Sequence, residues 1–277
     1  MTAATATTAP ARAPRTTRGR GPVPTPVLGA AGVLGLMALL ELVPRLGVVD
    51  RRFLPPFSEM IAALAGQMST AEFWVALVAT IRGWTIGLAI AVAAGVVLGI
   101  LIGSIPLLRA ATNSTIEFLR PIPSVALIPL AVLLYGSDLR ATLILVVYAS
   151  FWQVLVQVLY GVRDVDPVAR ETARSYRFRR WTQVRTVIWP TALPYVMTGF
   201  RLAAAVALIL EITGELIIGS PGLGAQIKVA QSSGAVDTMY ALVIVTGVFG
   251  VLVNLLARFA ERRVLAWHPS VRGEVPK

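Results

Sequence analysis

Apolar residues run in long blocks along this chain, separated by short polar stretches, and several blocks match the ~20 helical residues that cross a bilayer. The first covers Val27 to Val43. From Val48 to Ile81 the pattern is mixed, broken at Pro55-Pro56, with a helix expected over Ser58 to Met68 and Ser58 as its cap. This segment is expected at the outer surface. A second span is predicted from Gly83 to Ile105, and Leu107 to Arg120 then returns along the inner side. Arg120-Pro121-Ile122-Pro123 disfavours helix before a short third span, Ser124 to Tyr135, because the residue before a proline avoids the helical region. Beyond an outer turn at Gly136-Ser137-Asp138, a fourth span covers Thr142 to Tyr160. A fifth covers Tyr195 to Ile212, with Pro194 at its start. An outer segment, Gly214 to Asp237, precedes the sixth span, Met239 to Ala257. The pattern predicts an all-α membrane protein of about six spans.

Within the second span, Gly83, Gly87, Ala91, Gly95, Gly99 and Gly103 recur every fourth residue. On a helix they form one smooth face, which lets a neighbouring backbone approach closely. The motif does not name the partner, which is either another helix of this chain or a second copy.

Composition agrees with this reading. At 56% hydrophobic and 14% charged residues, with a mean hydropathy of +0.74, the chain is too apolar for a soluble domain. Its net charge of +11 lies in short loops and tails, not on one amphipathic face, which argues against nucleic-acid binding. There is no cysteine, and His268 is the only histidine, so disulfides, thiolate nucleophiles and histidine metal centres are excluded. No metal site is expected. Residues 1–25, rich in Ala, Thr, Pro and Arg, are expected to be a disordered tail ahead of a membrane domain over 26–263 and a C-terminal tail over 264–277. A cleaved signal peptide is the competing reading of the start. The first apolar block is longer than a usual signal core, and no small-x-small site follows it closely.

Polar chemistry dominates in one place, the charged island over 161–190. It holds seven arginines and three acids. Pro167 suits a first helical position, and Asp164 or Asp166 can cap a helix that starts there. Counting all proposed inner segments gives 18 basic residues, against five in the outer ones: Arg51, Arg52, Arg82, Arg140 and Lys228. Basic residues favour the cytoplasmic side, so both termini and the 161–190 loop are expected there.

The loop carries a resemblance. Glu171-Thr172-Ala173, then Arg177, then Val187-Ile188-Trp189-Pro190 is similar to the Glu-Ala-Ala…Gly…Ile-x-Leu-Pro pattern of the permease subunits of binding-protein-dependent ABC importers. Arg177 stands where that family has Gly, and Trp189 where it has Leu. Phe53-Leu54-Pro55-Pro56-Phe57, Phe118 to Pro123, Ala173-Arg174-Ser175-Tyr176 and Ser220-Pro221-Gly222-Leu223-Gly224 resemble the branch that handles nitrate, sulfonates and taurine. The resemblance covers about Arg51 to Arg263. It implies a type I importer fold in a bacterial cytoplasmic membrane, working as a homodimer with an ABC ATPase and an extracytoplasmic solute-binding protein. It also implies that Asp166, Glu171, Thr172, Ala173, Ser175, Tyr176, Arg177 and Pro190 couple this chain to the ATPase. ATP and magnesium would then sit on that partner, with no cofactor on this chain. Consistent with this, Gly222 to Lys228 lacks the Gly-Lys-Ser/Thr ending of a phosphate-binding loop.

Glu211 and Glu215, one helical turn apart near the outer end of the fifth span, are the close acidic pair in or beside a span. Intramembrane carboxylates are costly and mark functional candidates. The open readings are a pathway or gate, or a structural role in which they bond backbone amides or pair with Arg201 or Arg82. An ion-coupled secondary carrier is the alternative function. It would require broken mid-membrane helices in two symmetric halves.

Overall fold

The computed structural model describes residues 25–267. Among them every regular element is helical: α1 (Thr25–Arg45), α2 (Phe57–Met68), α3 (Ala71–Ser104), α4 (Pro106–Leu119), α5 (Ile128–Tyr135), α6 (Leu139–Arg163), α7 (Pro167–Ser175), α8 (Arg180–Gln183), α9 (Trp189–Ile218), α10 (Leu223–Ser232) and α11 (Val236–Val264). A 3-10 turn, Ser124–Leu127, precedes α5, and a π turn, Val184–Ile188, joins α8 to α9. The expected tail over 1–25 lies outside the described residues except for Thr25. So do His268 and the remainder of the C-terminal tail.

Four helices, α1, α3, α6 and α11, are long and apolar enough to cross a membrane singly. Two bent pairs bring the number to six if each makes one crossing: α4 with α5, bent by 84°, and α8–α9 with α10, bent by 44°. The first bend falls at Arg120-Pro121-Ile122-Pro123, where the prolines lack the donors that would continue the ladder. At the second, Gly219 adopts φ 84°, a left-handed conformation that ends α9.

Three expectations need correction. The second span begins at Ala71, not Gly83. Thr70 caps α3 by accepting from the Phe73 amide at 3.4 Å, and no proline interrupts the run to Ser104. Glu72, Thr80 and Arg82 dilute the hydropathy there without ending the helix. Ser58 does not cap α2. It lies inside the helix, and its amide and hydroxyl donate to the Glu41 carboxylate of α1 at 2.9 and 3.0 Å, so the capping acceptor comes from another element. Finally, α9 runs straight through Pro194 and extends six residues past Ile212.

At the centre of the bundle α6 lies between α3 and α9. Ala91, Leu145, Val154, Val158, Ala192, Ala203 and Ala207 are buried there. The glycine face of α3 lies on α6. A Cβ added at Gly95, Gly99 or Gly103 would stand 2.8, 2.7 and 2.9 Å from the Cβ atoms of Val154, Val158 and Val162. Gly87 meets Val146, and Gly83, at the far end of the stripe, meets Glu211 of α9. Two hydrogen bonds to α9 carbonyls reinforce the sandwich, Trp84 Nε1 to Ala204 at 3.0 Å and Ser150 Oγ to Ala203 at 3.3 Å. By contrast, α1 leaves Leu28, Leu34, Leu36 and Leu39 exposed and touches mainly α2.

Candidate functional site

The charged island forms a short helix standing on the end of α6. Asp166 caps α7 by accepting from the Val168 amide at 2.9 Å, and Pro167 fills the first turn, where its missing N–H costs nothing. Asp164, the other candidate cap, accepts from the Tyr195 hydroxyl at 2.9 Å and so joins the loop to α9. Arg170 donates to the Val162 carbonyl at 3.0 Å, which fixes α7 to the end of α6. Ala173 faces inward and is buried, whereas Glu171, Thr172, Ser175 and Tyr176 are exposed. The small residue is needed where α7 meets the bundle, and the polar ones face away from it.

The helix ends in a Schellman turn. The Phe178 amide donates to the Ala173 carbonyl at 2.9 Å and the Arg177 amide to Arg174 at 2.8 Å, with Arg177 at φ 55°. Arg177 therefore adopts the left-handed conformation that glycine takes without strain. The turn is made despite the substitution. Pro190 lies elsewhere, in the first turn of α9 directly after the π turn. Proline offers no amide to an α-helical ladder, and π turns of this kind accommodate such a gap.

At the opposite end of the bundle, Glu211 and Glu215 are both fully buried. Neither pairs with an arginine among the described residues. Arg201 pairs with Glu261 of α11 at 3.4 Å, and Arg82 is exposed on α3. Glu215 instead accepts from the Gly224 amide at 2.8 Å and the Thr80 hydroxyl at 2.7 Å. Thr80 in turn accepts from the Leu223 amide at 2.9 Å, and Thr142 and Ser220 share a hydrogen bond of 2.6 Å. Together these bonds fasten the Gly219–Gly224 turn and the start of α10 to α3, α6 and α9. Gly222 and Gly224 lie against the Glu215 side chain, where a Cβ would collide with it. The Glu211 carboxyl has no hydrogen-bond partner among the described residues and packs on Gly83. Thr80 and Thr142 carry no motif that would have singled them out. The Ser220-Pro221-Gly222-Leu223-Gly224 run was the signal for this turn.

Residues 95–266, more than half of the chain, match the family model of the binding-protein-dependent transport system inner membrane component. The chain belongs to that family. The permease is 30% identical over 259 residues to the taurine transport system permease protein TauC of Escherichia coli (strain K12), covering 91% of this chain and 94% of TauC. It is 26% identical over 193 residues to the nitrate import permease protein NrtB of Leptolyngbya laminosa, covering 70% and 69%. Its fold matches a chain of a bacterial ABC transporter involved in the import of the acidic polysaccharide alginate, with a TM-score of 0.62, 15% identity, and coverage of 86% of the permease and 96% of that chain. The protein is a multi-pass membrane subunit of an ABC importer, similar to the permeases of the sulfonate, taurine and nitrate branch. This places it with the transport subunits and not with the ion-coupled secondary carriers.

Proposed function

We propose that this permease imports a small oxyanionic solute, of the sulfonate or nitrate kind, as a homodimer in the cytoplasmic membrane with both termini inside. An extracytoplasmic binding protein delivers the solute, and a separate ABC ATPase, which holds the ATP and magnesium, docks on α7. The observation that carries this reading is the exposed face of Glu171, Thr172, Ser175 and Tyr176 on a helix anchored to the core by Arg170 and Ala173, in a chain of this family. Closure of the ATPase pair draws the two α7 helices together. Because Arg170 ties α7 to the end of α6, which packs on both α3 and α9, the displacement reaches these central helices. At the outer end, Glu215 acts in gating by holding the α9–α10 turn closed, with Glu211 packed one helical turn away against Gly83 of α3. The substrate class rests on the names of TauC and NrtB.

Charges at a protein interface set orientation and specificity more than bulk affinity, so reversing Glu171 hurts more than neutralising it. Glu171→Arg is expected to abolish transport and ATPase copurification while the protein still inserts, and Glu171→Gln to retain part of both. Normal coupling in Glu171→Arg would overturn the assignment of α7. Uptake of labelled taurine and nitrate by cells carrying the complete transporter tests the substrate class. Import of a cation alone would refute it.

A further inference from the structure

On the inward side of α7, away from Glu171, lies a partly open cavity of 540 Å³ lined by the end of α3, the start of α4, α7, α8 and the π turn. This is the size range of small-ligand sites. Four arginines from three elements line it, Arg109 of α4, Arg170 and Arg174 of α7, and Arg180 of α8, and no acid among the described residues does. None of the four has an ion-pair partner among the described residues. Arg109 and Arg170 are half-buried, Arg174 and Arg180 are exposed at the rim, and all four converge on this one cleft. Two polar atoms in the lining are also buried without a hydrogen-bond partner, Arg170 Nε and Ser104 Oγ. A guanidinium with a free donor, a free hydroxyl and an excess of positive charge are complementary to a tetrahedral oxyanion, which arginine forks match in geometry.

Position narrows the source of that anion. The rim includes Ile100, Leu101 and Ile105 at the end of a membrane helix, and Leu101 and Leu107 expose their apolar side chains beside it. The cavity thus opens where apolar helix surface gives way to basic loop, and basic pockets between spans on the cytoplasmic side bind anionic headgroups. We propose that this cavity binds a phosphate-type oxyanion, which ties α7 to the end of α3, to α4 and to α8 through charge-assisted hydrogen bonds. With the anion bound, the repulsion among the four like charges is reduced and α7 is braced against the bundle. Without it, they repel one another and the loop loosens. That this sets the efficiency of coupling rests on the reading of α7 given above, whereas the binding itself does not.

The test uses the full chain in phosphatidylcholine nanodiscs, with and without phosphatidylglycerol, and compares wild type with the double variant Arg109→Gln, Arg180→Gln. Retained lipid is read by native mass spectrometry, and thermal unfolding is followed with and without inorganic phosphate. Wild type is expected to retain phosphatidylglycerol over phosphatidylcholine, and the variant to lose about fivefold of that preference per arginine removed. The Arg109→Lys, Arg180→Lys variant controls for folding and is expected to keep part of the preference. Phosphatidylglycerol that survives added phosphate supports a lipid headgroup. Displacement by phosphate, with stabilisation of wild type alone, supports a free anion. Equal retention of both lipids with no phosphate effect overturns the proposal. So does a double variant that binds lipid and phosphate normally but fails to copurify with the ATPase, because the cavity would then receive a protein carboxylate.

Discussion

Arg177 has a left-handed backbone at a helix end, and an L side chain there carries a cost of about 1–2 kcal/mol from its Cβ. Glycine would remove that cost while losing part of the gain to its greater freedom in the unfolded chain. Arg177→Gly is therefore expected to leave the thermal midpoint unchanged or raise it slightly, with ATPase copurification intact. Arg177→Val should lower both, because a β-branched residue tolerates this conformation poorly. If Arg177→Gly keeps its stability but loses the ATPase, the guanidinium itself contacts the partner and the turn is not its main role. The departure from glycine was visible in the sequence. Only the backbone angle shows that the Schellman turn survives it.

Between elements, α3 approaches α6 closely where Gly95, Gly99 and Gly103 face Val154, Val158 and Val162. The opposing atoms are branched at Cβ and have little rotamer freedom, so they cannot swing aside. Gly99→Leu is expected to cost about 1–3 kcal/mol through overpacking, or more if the helices separate, and to reduce folded yield in detergent. Yield and transport equal to wild type would show that the two helices are not in close contact. The period of four was legible as a smooth helix face, whereas its partner was not, because small residues favour any close-packed neighbour equally.

For the whole molecule, the charge asymmetry and the positions of α7 and α10 at opposite ends of the bundle predict which loops face which side of the membrane. With no cysteine in the chain, single cysteines at Ser137, Ser175 and Ser233, all exposed, can be probed in intact cells with an impermeant thiol reagent. Labelling is expected at Ser137 and Ser233, with Ser175 labelled only after lysis. Labelling of Ser175 from outside would invert the topology. The apolar surface of α1, which touches mainly α2, is uncovered in the single chain.

What the sequence alone determined is local and periodic. Apolar block length marked the membrane helices, the four-residue repeat marked one face of α3, and Pro167, with Asp164 or Asp166 as its cap, marked the start of α7. Each depends on residues within about one helical turn of one another or on a continuous run. Tertiary structure decided which distant groups meet. Thr80 and Glu215 are hydrogen-bonded across 135 positions, and Gly83 receives a carboxyl from α9. Four arginines counted only as loop charge surround a single cavity. The physical reason is that periodicity specifies which face of a helix is smooth, charged or apolar. The partner of that face is set by how the helices cross, and a crossing is a property of the packed bundle and not of any one segment.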